Sequence, residues 1–291
     1  MELEKIIEDT AVQLLRISAT RLPVNVINAL EQIKETATGQ SALLQLGNIT
    51  TDIGIAREKS KPMCQDTGII SFKLEVGDDF PLKSKLKDIL INATRRATKE
   101  IPLRPNTVDF FEGNPKDNVD VRGHIPYYYI DLVPGDKLKI LATTKGGGSS
   151  NVAALGMLKP GVGLEGALQF VIDTIIKAGP QGCPPYRVGI GIGGGEDICM
   201  TLAKKAIFKQ IGERHPDPRV AKLELAVMDA ANELPIGAMG VSGSKTVMDV
   251  NIELASRHPA SLPVGVVLSC WALRYGKAVI GADGTVDIIE S

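Results

Sequence analysis

Four cysteines, Cys64, Cys183, Cys199 and Cys270, are scattered along a chain of 291 residues, with no CxxC pair among them. Three share a kind of setting. Cys64 stands in Lys-Pro-Met-Cys-Gln-Asp-Thr-Gly, just ahead of a predicted strand. Cys183 stands in Gly-Cys-Pro-Pro, after a helix end marked by Gly179-Pro180, and Cys270 follows a predicted strand in Leu-Ser-Cys-Trp. Element ends bounded by Gly, Pro or polar residues are where sites form on a rigid scaffold. Cys199 differs: it falls inside a predicted helix, beside Ile198 and Leu202, and reads as a core residue. Cysteine count alone favours four small buried hydrophobes, and disulfides are not expected in a cytosolic chain. Their contexts add another reading. Three thiolates could hold a metal or an iron–sulfur cluster; a [4Fe–4S] cluster normally takes four Cys ligands, so three would leave one iron open to act as a Lewis acid.

Two glycine-rich segments could bind anions. Thr143-Thr-Lys-Gly-Gly-Gly-Ser-Ser-Asn151 follows a predicted strand, but its Lys precedes the glycines, so it is not a Walker A loop. Consecutive glycines let backbone N–H groups converge on a carboxylate or phosphate; a plain turn is the alternative. Gly189-Ile-Gly-Ile-Gly-Gly-Gly195 contains a GxGxxG string ahead of a helix. A dinucleotide site would need an acidic residue at the end of the following strand. Here the helix runs instead into Glu213-Arg-His-Pro-Asp-Pro, so close packing of strand, turn and helix is the better explanation.

The strings KPMCQDTG, LRPNTVD, KGGGSSN, GCPPYRVGIGIGG and SRHPASLPVGVVLSCW occur in this order. Together they resemble the N-terminal or α portion of class I fumarases and L-tartrate dehydratases, from about Leu14 to the chain end. The resemblance implies a [4Fe–4S] cluster on Cys64, Cys183 and Cys270, with one iron left for substrate. It implies that Gln65, Asp66, Arg104, Gly147 and His258 hold a small dicarboxylate, with Asp66 and His258 as catalytic candidates. The residue types suit these roles: Arg104 can fork onto a carboxylate, and His258 can handle a proton. His124 and His215 match no such motif and read as surface residues. Ser150 stands where many relatives carry an acidic residue.

The resemblance also implies a partner. The catalytic base and further clamps are expected on a β subunit, because this sequence stops soon after the last cysteine motif. The expected assembly is a homodimer of α within an α₂β₂ heterotetramer. The expected reaction is reversible hydration of fumarate to L-malate, with dehydration of L-tartrate or another diacid as the alternative. Two readings from other classes are a non-catalytic iron–sulfur or zinc-stabilised protein and a nucleotide-binding oxidoreductase.

The elements that must position these residues follow from composition and pattern. Hydrophobic residues make up 44% and charged residues 23%, an ordinary globular balance. A formal net charge of −1 and 4% aromatics give no footprint for nucleic acid or a membrane surface. The N-terminus has no basic-then-apolar leader and no apolar run approaches a bilayer span, so a cytoplasmic protein is expected. Residues 1–60 read as a helical region, with a break at Pro23 and helices over 24–35 and 41–59. Strands are predicted over 68–77, 127–133, 137–144, 187–192, 247–255 and 264–269, and helices over 83–100, 163–178, 196–211 and 220–234. Pro134-Gly-Asp136 reads as a hairpin turn, and the segment after Cys270 as turn-rich. The whole is α+β: a mixed, largely antiparallel sheet with flanking helices, in a single domain over 1–291 whose residues 61–291 carry cluster and substrate.

Overall fold

A computed structural model describes residues 2–101 and 103–289. Its elements run, in chain order, α1 (Glu2–Thr20), α2 (Val24–Glu35), α3 (Gln40–Lys59), β1 (Ile69–Gly77), α4 (Leu86–Glu100), β2 (Tyr127–Val133), β3 (Lys137–Lys145), α5 (Gly147–Asn151), β4 (Ala154–Leu158), α6 (Gly163–Ala178), β5 (Tyr186–Gly194), α7 (Glu196–Ala206), α8 (Pro218–Asn232), β6 (Val247–Arg257), β7 (Leu262–Ser269), β8 (Tyr275–Gly281) and β9 (Val286–Ile289). The α+β class and the helical N-terminal region are those the sequence predicts. Two compact units result: Met1–Val24, Thr51–Gly147 and Arg274–Ser291 form one, Asn25–Thr50 and Gly148–Leu273 the other.

In the first unit, α1 puts Ile7, Ala11, Leu14, Leu15 and Ala19 on one helical stripe, and all are buried. The stripe packs with Ile70, Phe72, Leu74 and Val76, the inward set of β1, and with Leu86, Leu90 and Ala93 of α4. The sheet order is β2-β1-β3-β8-β9. The Pro134-Gly-Asp136 turn therefore does not close a hairpin, because β2 and β3 flank β1 on opposite sides, β2 parallel and β3 antiparallel to it. The turn arches over the end of β1 instead. Asp78 N donates to Val133 O at 2.8 Å, and Gly135 N to Asp78 Oδ1 at 2.8 Å. A Cβ on Gly77 would lie 2.2 Å from Gly135 O, so the crossing needs glycine. The closing segment is not merely turns either: β8 pairs with β3 and β9 with β8, both antiparallel. Tyr275, Ala278 and Ile280 of β8 are buried.

The second unit is built on the sheet β4-β7-β5-β6. β7 is buried at every position, and β5 at every position but the last. Val188, Ile190 and Ile192 of β5 share a core with Val171 and Ile175 of α6 and Val220 and Val227 of α8. The intervening glycines face α7. A Cβ on Gly189 would lie 2.1 Å from Ala203 O, and one on Gly191 2.0 Å from Cys199 O. The helix thus rests backbone-first on the sheet, and the GxG spacing is a helix seat, as the close-packing reading required. A buried polar network holds the loop after α7. Asp249 pairs with Arg187, 3.4 Å away, and with Arg214. Glu224 accepts from Asn251 Nδ2 at 3.1 Å, Ile252 N at 2.9 Å and His215 N at 2.9 Å.

Candidate functional site

In the first unit, the turn leading into β1 carries Cys64, Gln65 and Asp66. Cys64 and Gln65 are exposed, and Asp66 is half-buried. The Asp66 carboxylate is fully engaged. Oδ1 accepts from Gly68 N at 3.0 Å and Asn106 Nδ2 at 3.3 Å, and Oδ2 accepts from Gly147 N at 2.7 Å. The anion that meets the glycine turn is therefore one of the chain's own side chains. Asn106 Nδ2 also lies 3.2 Å from Gly68 O, so one amide stitches the turn to the Arg104 segment. That segment is fixed by its backbone: Arg104 O accepts from Thr67 Oγ1 at 3.2 Å and Asn118 Nδ2 at 3.1 Å. The Arg104 side chain stays exposed. The structure thus brings Asp66, Arg104 and Gly147 into one hydrogen-bonded constellation, from loops widely separated in sequence, with Gln65 beside Asp66 on the same turn.

The loop beyond Arg104 is ordered by carboxylates. Asp109 accepts from Phe111 N at 2.9 Å, Glu112 N at 3.0 Å and Arg122 Nε at 2.6 Å. The Arg122 hydrogen bond, then the backbone N–H groups of Glu112 and Phe111, hold the Asp109 carboxyl well below the usual carboxylate range. Arg122 also covers the Phe111 ring, 5.6 Å from its centroid. At the tip, Phe110 is 100% and Phe111 85% exposed.

In the second unit, Cys183 and Cys270 lie at one end of the sheet. The register pairs Arg187 with Ser269, so the chain enters β5 and leaves β7 side by side. Trp271 N donates to Cys183 O at 3.1 Å, tying the two cysteine loops together. Cys183 has φ 57°, the left-handed region that a non-glycine residue adopts at a cost. The strain is held by Tyr186, which is fully buried: its hydroxyl donates to Gly179 O at 2.7 Å and accepts from Gly182 N at 3.0 Å. Burial pushes the Tyr186 phenol up to about 12. Cys199 is buried in α7, where desolvation raises its thiol. That burial is what its sequence context predicts.

His258 is not brought to that end. It sits in the exposed turn between β6 and β7, where its Nδ1 accepts from Ala260 N at 3.1 Å. The eight residues of β7 separate it from Cys270, roughly 25 Å at ~3.3 Å per residue. Three organising residues escaped the sequence reading: Asn106, Tyr186 and Arg274. Asn106 and Tyr186 lie inside the quoted strings; Arg274, a charge in an apolar stretch, was the one visible anomaly.

Residues 8–279 match the model of the fumarate hydratase (Fumerase) family. The chain belongs to the class I fumarate hydratase family. It is 42% identical over 271 residues to a Methanocaldococcus jannaschii protein, covering 92% of this chain and 95% of that one; the latter's name, L(+)-tartrate dehydratase subunit alpha, is itself provisional. It is 36% identical to the L(+)-tartrate dehydratase subunit alpha of Escherichia coli K12, covering 92% of this chain and 89% of the relative. Among the described residues no helix is long and apolar enough to cross a membrane.

Class I fumarases are hydro-lyases whose implied cofactor is an iron–sulfur cluster, and the donor chemistry of this chain fits it. Soft thiolates suit iron–sulfur ligation, and two of the three loop cysteines are presented by adjoining, hydrogen-bonded turns. Among the described residues no group of three or more His, Cys, Asp or Glu closes on a single metal ion. A cluster does not ask for that, because each thiolate binds a different iron.

Proposed function

We propose that this chain is the α subunit of a [4Fe–4S]-dependent hydro-lyase that adds water to, or removes it from, a small dicarboxylate. Cys64, Cys183 and Cys270 are the cluster ligands in this reading. Bound there, the cluster would supply an iron without a protein ligand, a Lewis acid for the substrate hydroxyl. The observation that carries the proposal is the constellation of Asp66, Arg104 and Gly147, joined through hydrogen bonds with Gln65 beside Asp66 on the same turn, within a member of a hydro-lyase family. Exposed Arg104 takes a carboxylate bidentately, and Gln65 adds a neutral donor and acceptor beside it. Asp66, with both oxygens on N–H groups, holds the turn that presents Cys64 and Gln65; in catalysis it acts from that fixed position.

Fumarate and L-malate are the substrate pair the family model supports. The names of the relatives favour L-tartrate as the second reading. His258 lies at the far end of β7 from Cys270, so within this reading it reaches a cluster site only from a second copy of the chain. That fits a homodimer of α inside α₂β₂. A β subunit carrying the base is supported by the relatives' names, which call them alpha subunits. It is supported too by the Phe110 loop: a stiff, buttressed aromatic tip, six residues past Arg104, resembles an interface anchor more than a solvent loop. We place the reaction in the cytoplasm, where thiolates stay reduced.

The deciding experiment is anaerobic reconstitution with iron and sulfide, followed by assays on fumarate, L-malate, L- and D-tartrate and mesaconate, with and without the β partner. The reading expects turnover only with the partner, and on one diacid pair far above the rest. Robust hydration by the chain alone would overturn the divided site. Turnover by the chelated, metal-free complex would overturn the cluster.

A further inference from the structure

Two arginines are almost completely buried, Arg187 at 0% and Arg274 at 2% exposure. Arg187 has an acid, Asp249, against it. Among the described residues Arg274 has none. It immediately precedes β8; the register that sets Thr143 opposite Tyr275 puts Thr144 opposite Arg274 one step further on. Its carbonyl accepts from Thr143 Oγ1 at 2.9 Å, and its Nη2 donates to Asp66 O at 3.1 Å. Nη2 also lies 3.7 Å from where a Cβ on Gly146 would sit. Nε and Nη1 are buried and unpartnered, as are the hydroxyls of Thr144 and Thr107. These four atoms belong to three residues that are all close in sequence to the candidate site.

A buried charge persists only where something opposite compensates it. Water could satisfy the two donors but could not supply the charge. Asp66 is the acid whose main chain Arg274 touches, and its carboxylate is already held by Gly68, Asn106 and Gly147. We propose that Arg274 is the buried counter-charge for an anionic ligand bound at the turn that joins Asp66 to Gly146 and Gly147. The anion is either a substrate carboxylate or the net-negative cluster with its thiolates, and the choice between them rests on the function proposed above. Arg274 is a positioning residue: it acts through the Asp66 carbonyl and through the field it sets up at the turn.

The test compares Arg274→Gln, which removes the charge, with Arg274→Lys, which keeps it, in the full chain. One arm titrates succinate, an unreactive diacid, by calorimetry. The other measures the midpoint potential of the reconstituted cluster. The Gln variant should lose about ten-fold in succinate affinity, or lower the potential by about 59 mV, its one-electron equivalent, while the Lys variant stays near wild type. A response in the first arm assigns the carboxylate, and one in the second assigns the cluster. Equal losses in both variants would mean a hydrogen-bonding role only and would overturn the proposal; so would no response in either arm. If the Gln variant does not fold, the Lys variant decides: retention of both readouts supports the proposal, and a ten-fold loss in either sinks it. Wild type that binds neither succinate nor cluster would overturn this inference and the proposed function together, whereas binding that ignores position 274 would overturn this inference alone.

Discussion

Tyr186→Phe is the sharpest probe of how the Cys183 turn is held. The substitution removes one oxygen and leaves the ring. Two backbone groups then lose their partner: Gly182 N–H, which donates to the phenol at 3.0 Å, and Gly179 O, which accepts from it at 2.7 Å. Gly182 is buried, so its N–H is left dry; Gly179 is half-exposed, so water can serve its carbonyl. One dry donor costs about 1–3 kcal/mol, and that is the loss expected in urea unfolding of the reduced chain. Freed from its clasp, Cys183 should relax from φ 57° and react faster with a thiol reagent, while buried Cys199 keeps its rate. Because burial pushes the phenol up to about 12, it stays protonated well above neutrality, and the loss should be the same from pH 6 to pH 9. A change below about 0.5 kcal/mol, the scatter of neutral surface substitutions, with Cys183 reactivity unaltered, would refute the clasp.

Other outcomes follow from the same structure. Cys183→Ser or Cys270→Ser should abolish the iron-dependent absorption of reconstituted chain, whereas Cys199→Ser should preserve it; the reverse pattern would reassign the ligands. Asp249→Ala removes the acid that pairs with both Arg187 and Arg214, leaving Arg214 only its longer 3.6 Å pairing with Glu224, and should cost about 3–5 kcal/mol in denaturant unfolding, with the loop after α7 exchanging its amide hydrogens first. Phe110→Ser should leave the melting temperature unchanged, since the ring is fully exposed, yet weaken binding of the proposed β partner by about thirty-fold, as loss of an aromatic anchor does; unchanged affinity in a pull-down titration would remove this loop from the proposed interface.

Much of this was legible in the residues. The periodicity of α1, α4 and α6 and the alternation in β1 are local signals, and local signals survive in one dimension. The Gly and Pro around Cys64, Cys183 and Cys270 marked them as loop cysteines, and its apolar neighbours marked Cys199 as buried. What failed was pairing. Nothing local tells Pro134-Gly-Asp136 that β1 will lie between the strands it connects. β4 has five residues, too few to alternate visibly. Arg274 reaches Asp66 across 208 positions of sequence, a contact no window can contain. His258 shows the converse: it is near Cys270 in sequence, but the strand between them carries the two to opposite ends.

The place of β8 in the first sheet bears on the order in which the molecule is made. β1, β2 and β3 leave the ribosome early, but β8, which pairs along β3, begins only at Tyr275, after the whole of Gly148–Leu273 has been synthesised. Through that interval the outer edge of β3 carries unpaired N–H and C=O groups, with Leu138, Ile140 and Ala142 beside them, the kind of edge that recruits stray strands. The second unit meanwhile has all four strands of its own sheet available by Ser269. Nascent chains of this family should therefore fold their middle before their beginning, and lean hardest on chaperones in the final stretch of translation.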